Sequence, residues 1–403
     1  MACMHRLSNE RKPTLATLAD LLAPVSVSAF LEKFRARKRL HIPASDPTRA
    51  ETLLSWRDID TLLSRQLLDE NVRVMRDGVI VPRHFYTHAE GKWVNVRAFH
   101  DLLPQGVSIV VDDVQRLIPQ ISQLCAAIER EMGIRTNVNA YLSFSKGGAF
   151  KPHWDRMDVL VVQVHGNKHW HVWNVEVPHP VEKADRLKVN ASMAPDQVIE
   201  LSPGDVLFIP RGEPHSAAVS AERSVHLTIG LLSYTGIDFL DHVREQAAKD
   251  PFLRMDLPRH SSDEQAGAHE AALKHRLRHL IEAASMLHFL RDGDLSRLPA
   301  LQTAVDRTLP EMDDLLRLTL RRRVPLPDVA PDGEPQPLMI GGEVRRLSPA
   351  SIDVLRWLFD HDPATMRSLQ AEMTPRHGKD STEAAIYELL RLGFLFVNGG
   401  PHQ

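Results

Sequence analysis

Apolar positions change period twice along the chain. Up to about Gly133 helical and extended signals mix. Phe30-Leu31-Glu32-Lys33-Phe34 reads as a short amphipathic helix ending in the basic run 35–39, a charge run expected to face water. Ser55 stands in N-cap position before a helix through Trp56, Ile59, Leu62 and Leu63. From Thr136 to Leu232, apolar and β-branched runs are punctuated by Gly, Pro, Asn and Asp. They predict strands over 138–144, 159–164, 169–175, 198–201, 205–209 and 224–231. Short strands separated by turn signals argue for an all-β barrel or sandwich. Gly166-Asn167 suits a two-residue hairpin turn, and Pro203-Gly204 another turn before Val206.

After Phe239 the helical period returns. Leu273, Leu277, Leu280, Ile281, Ala284, Leu287 and Leu290 predict one face of a single long helix, with Gly293 placed to end it. Prolines 325, 327, 331, 335 and 337 then exclude a helix interior and mark a connector. Beyond it, Ser348-Pro349 pairs an N-cap with a first-turn proline, opening a helix with Ile352, Leu355, Leu358 and Phe359. A second helix holds Ile386, Leu389 and Leu390 and stops near Gly393, and Phe394 to Val397 follow as a strand. That order outlines a winged helix.

Length and composition narrow the class. A chain of 403 residues suggests two to three domains, and 43% hydrophobic with 25% charged residues is ordinary for a soluble globular protein. Forty-nine basic residues against 52 acidic give a net charge of −3, so no bulk field draws the chain to nucleic acid or membrane. Cys3 and Cys125 cannot make a disulfide framework and fit a reducing compartment. No apolar run approaches the ~18 residues a membrane span needs, and the N-terminal stretch lacks the apolar core of a signal peptide. The cytoplasm is the expected location. The 21 histidines make a metal worth seeking.

Chemistry concentrates in Phe150-Lys151-Pro152-His153-Trp154-Asp155. Residues two apart in an extended chain point the same way, so His153 and Asp155 offer an imidazole and a carboxylate from one face. His215, in Pro210-Arg211-Gly212-Glu213-Pro214-His215, is the best candidate for a third ligand. Two histidines and a carboxylate leave open positions suited to non-haem Fe(II), although zinc hydrolases use the same donor types. Lys168, Trp170 and Val172 share a strand face. A lysine among apolar partners on an inward face needs an anion, and the distal carboxylate of 2-oxoglutarate is one that fits.

Five ordered blocks carry a family likeness: Asn139 to Leu142, Phe150 to Asp155, Gln163 to Trp170, Pro203 to Gly212, and Ser224 to Ile229. Together, over 137–232, they resemble the JmjC-type cupin oxygenases, specifically the ribosomal oxygenases, and 30–43 is similar to that family's leading helix and strand. The resemblance implies an α+β fold: a double-stranded β-helix (cupin/JmjC barrel) with a helical dimerisation region and a C-terminal winged-helix-like module. The expected boundaries are 1–240, 241–323 and 324–403. It implies Fe(II)- and 2-oxoglutarate-dependent hydroxylation, with dioxygen, of an amino-acid side chain in a protein such as a ribosomal protein. By position, His153, Asp155 and His215 are the iron ligands and Lys168 the 2-oxoglutarate partner. Asn139 and Tyr141 line the co-substrate and substrate pocket.

Other features take plainer readings. His165, His169 and His171 are expected at the surface or in packing, and His226 as a satisfied barrel histidine, with pocket lining as its alternative. The 321–323 arginine run reads as a helix C-terminus. Residues 381–392 carry Glu383 and Glu388 against Arg391, so no DNA binding is expected of the C-terminal module. A homodimer through the helical region is expected, and no membrane partner. Rival readings are a hydroxylase tailoring a ribosomally made peptide, a non-catalytic cupin dimer, and a zinc hydrolase.

Overall fold

The computed structural model describes residues 15–398 except 65–68, 77, 89–91, 145–146, 149–150, 175–177, 182–193, 221–222, 296–308, 320–323, 330–332 and 341–342. Cys3, Phe150 and the 321–323 arginine run therefore lie outside the described residues. The chain divides into two compact units, Met1–Ser233 and Tyr234–Gln403.

The first unit opens with α1 (Leu18–Leu22), α2 (Val27–Arg35), β1 (Leu40–Ile42) and α3 (Trp56–Ser64). It continues through β2 (Val72–Arg76), β3 (Val79–Ile80), α4 (Val96–Leu102), β4 (Ser108–Val111) and α5 (Pro119–Met132). Eight strands follow: β5 (Arg135–Ser143), β6 (Gly147–Gly148), β7 (Asp158–His165), β8 (Lys168–Val172), β9 (Gln197–Leu201), β10 (Val206–Ile209), β11 (His215–Val219) and β12 (Ser224–Leu232). They form an antiparallel sheet in the order β1-β10-β7-β12-β5-β4-β2-β3 and a second in the order β6-β11-β8-β9.

Side-chain alternation explains how the large sheet is covered. Val138, Ala140 and Leu142 of β5, Leu160, Val162 and Val164 of β7, and Val225, Leu227, Ile229 and Leu231 of β12 join one core with the helices, including Leu21, Phe30 and Ile128. The intervening residues face the other way, where Val159 and Val161 meet Trp170, Val172, Ile199 and Leu201 of the small sheet. A strand buried on both faces reads as a continuous apolar run, as in β7, where all eight residues are buried.

The turns are set by a few polar side chains. Gly166 has φ 62°, and a Cβ there would lie 2.2 Å from the Arg223 carbonyl, so the two-residue turn between β7 and β8 requires glycine. Gln163, fully buried, donates its amide to the carbonyls of His165 (2.9 Å) and Gly166 (2.7 Å) and to Ser224 Oγ (2.8 Å). Asp205 accepts from the Ala44 N–H (2.8 Å) and Ser202 N–H (3.1 Å), tying the turn before β10 to the segment after β1.

Every strand predicted over 138–231 is present within a few residues, but β8 stops at Val172 and β2, β3, β4, β6 and β11 lie outside the prediction. His215-Ser216-Ala217-Ala218-Val219 carries little apolar signal, yet it forms a strand because it is paired on both sides, by β8 and β6. Ser55 caps α3 as expected: the Asp58 N–H donates to Ser55 Oγ, and Asp58 accepts from Ser55 N–H and Oγ–H.

In the second unit the single long helix is corrected to two, α7 (Asp263–Ala283) and α8 (Met286–Leu295), preceded by α6 (Gly236–Ala247). Ala284 is extended, with ψ 129°, and Ser285 Oγ accepts the His288 N–H, a cap that restarts the helix. Gly293 lies inside α8 instead of ending it. The C-terminal module comprises β13 (Leu315–Leu318), β14 (Gln336–Ile340), β15 (Glu343–Leu347), α9 (Pro349–His361), β16 (Ala364–Thr365), α10 (Met366–His377), α11 (Lys379–Arg391) and β17 (Leu395–Asn398). Ser348 caps α9 as expected, while α10 is a third helix where two were predicted. β13 pairs with β16 and β17 and shares their core, so this module begins well before the expected boundary at 324. Among the described residues, no helix is long and apolar enough to cross a membrane.

Candidate metal centre and its cleft

The segment that carries His153 is held to the start of β11 by a two-way backbone bridge. The His153 N–H donates to the His215 carbonyl (3.0 Å), and the His215 N–H to the His153 carbonyl (2.7 Å). The Gly212 N–H donates to the Asp155 carbonyl (2.9 Å), closing the loop that leads into His215. This pairing brings one donor atom each of His153, Asp155 and His215 within 4.8 Å of one another. His153 Nδ1 lies 2.9 Å from the Lys151 carbonyl and His215 Nδ1 3.0 Å from the Glu213 carbonyl. Carbonyls only accept, so each Nδ1 carries a proton, and Nε2 is the nitrogen each ring can offer to a metal. Burial, and then the neighbouring His153, push the His215 pKa down to about 4, which keeps that ring neutral. Two imidazoles and a carboxylate suit a borderline divalent cation, with coordination positions left over.

A cleft of about 530 Å³, counting its open mouth, runs from these residues into the barrel. It is lined by inward residues of five strands: Tyr141, Val159 and Val161, Lys168 and Trp170, His215 and Ala217, and His226 and Thr228. Lys168 is 4% exposed, and burial alone lowers its pKa to about 7. Its ammonium donates to His226 Nδ1 (3.0 Å) and Ser143 Oγ (3.3 Å). His226 is held neutral by burial and by the Lys168 charge. Its ring stacks on Tyr141, centroids 4.6 Å apart and 8° from parallel, and meets Trp170 edge-on at 5.5 Å.

Burial, followed by the nearby Asp155, pushes the Tyr141 pKa up to about 12, so its hydroxyl stays protonated. Arg73 and Asn139 both hydrogen-bond that hydroxyl, and Arg73 is itself forked onto Asp112 at 2.8 and 2.6 Å.

The structure thus gathers His153, Asp155, His215, Lys168 and Tyr141 around one space. Asn139, expected to line the pocket, lies one residue back from the cleft, behind Tyr141. Its side chain accepts the Asp113 N–H (3.3 Å) and supports Tyr141 from behind. His165 stacks on Trp56 at 4.5 Å, and His169 lies 3.7 Å from Glu200, both away from the cleft. His226 takes its alternative reading and lines the pocket. The signal was available, because the alternation of Val225, Leu227 and Ile229 toward the helices turns His226 and Thr228 inward.

Residues 111–239 match the JmjC domain family. Strands β5 to β12 all fall within that match. Among proteins similar to the chain, the bifunctional lysine-specific demethylase and histidyl-hydroxylase NO66 of Caenorhabditis elegans is 26% identical over 232 residues, 52% of this chain and 29% of that protein. The chain therefore corresponds to under a third of that relative's length. Ribosomal oxygenase 2 of Mus musculus is 26% identical over 347 residues, 78% of this chain and 73% of that protein. The Escherichia coli ribosomal oxygenase YcfD, solved in complex with cobalt and 2-oxoglutarate, superposes with a TM-score of 0.51 at 18% identity, covering 93% of this chain and 99% of that one. That likeness shows a shared fold.

Proposed function

We propose that the protein is an Fe(II)- and 2-oxoglutarate-dependent hydroxylase of an amino-acid side chain in a protein, with a ribosomal protein as its substrate class. One observation carries the reading: a His-Asp-His donor set and a buried ammonium occupy the same cleft. His153, Asp155 and His215 would hold the iron, and Lys168 would pair with the far carboxylate of 2-oxoglutarate. When bound, iron with 2-oxoglutarate and dioxygen supplies oxidative decarboxylation to succinate and CO₂, with one oxygen atom inserted into a substrate C–H bond. The chain's part is to hold the donor set, keep His215 neutral, exclude water with Val159, Val161 and Trp170, and place the substrate against Tyr141. The ribosomal class rests on the relatives named ribosomal oxygenase and histidyl-hydroxylase.

The helical region would serve a cytoplasmic homodimer. No residue of α7 is buried, and Leu277, Ile281 and Leu287 are 38%, 54% and 71% exposed. The C-terminal module would be winged-helix-like and serve substrate or dimer contacts rather than DNA. In α11, Asp380, Glu383 and Glu388 outweigh Lys379 and Arg391, so that helix carries no net positive charge for phosphates.

Iron-dependent release of succinate, with a 16 Da gain on a ribosomal protein, is the expected result. Turnover only on short peptides would redirect the substrate class, and no succinate at all would end the reading. Light scattering of the wild type should give a dimer, and Leu277→Asp with Ile281→Asp a monomer. A monomeric wild type would remove the dimer.

A further inference from the structure

We propose that His226 is a positioning residue that fixes the Lys168 ammonium at one depth in the cleft and so sets the chain length of the dicarboxylate it accepts. The proposal rests on the 2-oxoglutarate reading above. A lysine ammonium is a point charge on a flexible four-carbon stem, and on its own it would sweep several positions along the cleft. Here it is pinned by acceptors from two other strands, His226 Nδ1 of β12 at 3.0 Å and Ser143 Oγ of β5 at 3.3 Å. Ser143 is fixed in turn by the Ser108 hydroxyl at 2.9 Å.

An ammonium has three N–H bonds, so two neutral acceptors leave one for a carboxylate. Among the described residues no carboxylate lies within ion-pair reach of Lys168, and burial is the cause of its lowered pKa. The pocket therefore offers this cation no anion of its own.

His226 is well placed to act as a fixed point. It is opposite Tyr141 in the β12–β5 register, its ring lies flat on the tyrosine, and Trp170 closes the edge. Strand register also fixes the opposite end, since Val172 pairs with His215 while Lys168, four residues earlier on β8, pairs with Val219. With both strands locked, the distance from the donor set to the ammonium varies only through the lysine's own rotamer. His226 removes that freedom.

The test titrates the full-length, Co(II)-loaded protein with oxaloacetate, 2-oxoglutarate and 2-oxoadipate, which differ by one methylene each. The wild type should prefer 2-oxoglutarate at least tenfold over either neighbour. His226→Leu should weaken 2-oxoglutarate tenfold or more and cut the preference over 2-oxoadipate below threefold, with Co(II) affinity unchanged. His226→Asn puts a carboxamide oxygen near the position of Nδ1 and should restore both within threefold. His226→Gln, whose oxygen falls near the Nε2 position, should not. Should the leucine variant lose Co(II), the asparagine and glutamine pair decides. Unchanged chain-length preference in His226→Leu, or equal behaviour of the asparagine and glutamine variants, overturns the assignment. A wild type that binds Co(II) but none of the three acids overturns the 2-oxoglutarate reading itself, and this one with it.

Discussion

At the mouth of the cleft, each histidine gives its Nδ1 proton to the backbone carbonyl two residues before it, and Asp155 is only half-buried. At the inner end, a lysine ammonium is 4% exposed, and among the described residues its side-chain partners are a hydroxyl and a neutral imidazole. The first end is satisfied without its ion. The second carries a desolvated charge whose natural complement comes from outside. Pre-paired ligands hold geometry at little cost to the fold, whereas a buried, uncompensated cation strains the fold until an anion arrives.

The largest effect should come at the satisfied end. His153→Ala or Asp155→Ala is expected to cost more metal affinity than the ~10–100-fold typical of losing an outer-shell partner. The metal-free fold should hardly notice, with a change on the order of 0.5–1 kcal/mol, because neither side chain is fully buried. Co(II) titration beside thermal unfolding of the metal-free protein checks both halves. A large loss of stability in either variant would make the donor set a structural element and break the contrast.

Next comes the strained end. Lys168→Met keeps the apolar stem and removes the charge. It should leave Co(II) binding intact and weaken 2-oxoglutarate by about 2–5 kcal/mol, the usual cost of removing one partner of a buried charge pair. That is roughly thirty- to several-thousand-fold in Kd. An unchanged Kd would place Lys168 outside the co-substrate's reach.

Much of this contrast was legible in the residues. The His153/Asp155 spacing, the Pro-Gly turn ahead of His215 and the inward alternation of Lys168 all depend on local periods, and the structure keeps them. What the sequence hid depends on pairing between distant segments. The strand at His215 forms because β8 and β6 flank it, not because its own residues favour one. Asn139 shares a strand face with Tyr141, but Asp113 on the preceding loop draws its side chain away from the cleft. The helix of residues 273–290 kept its apolar period across a break made by one serine, and hydrophobic spacing is blind to such a cap. The terminal module lost its first strand to the helical region because β13 finds its partners some fifty and eighty residues on.

The subtlest consequence of the strained end is a pair of opposite pH trends from one lysine. Lys168 has its pKa lowered to about 7 in the fold, against 10.5 for the free side chain. Between those values the unfolded chain binds more protons at this position than the folded one, so the ligand-free fold gains stability as pH rises. The gain should reach about 1.4 kcal/mol per pH unit at most, and it should fade above about pH 10. Only the protonated amine can pair with a carboxylate, so 2-oxoglutarate affinity should run the other way. The Kd should be flat below about pH 7 and then weaken by up to about tenfold per unit. Lys168→Arg, whose guanidinium stays charged throughout, should flatten the binding trend, and Lys168→Met should remove this contribution to the stability trend. Thermal unfolding of the ligand-free protein and calorimetric titration of the Co(II)-loaded protein from pH 6 to 9 read the two trends separately. A wild-type affinity that stays level across that range would mean the ammonium keeps its proton without an anion, and the inner end would then be as satisfied as the mouth.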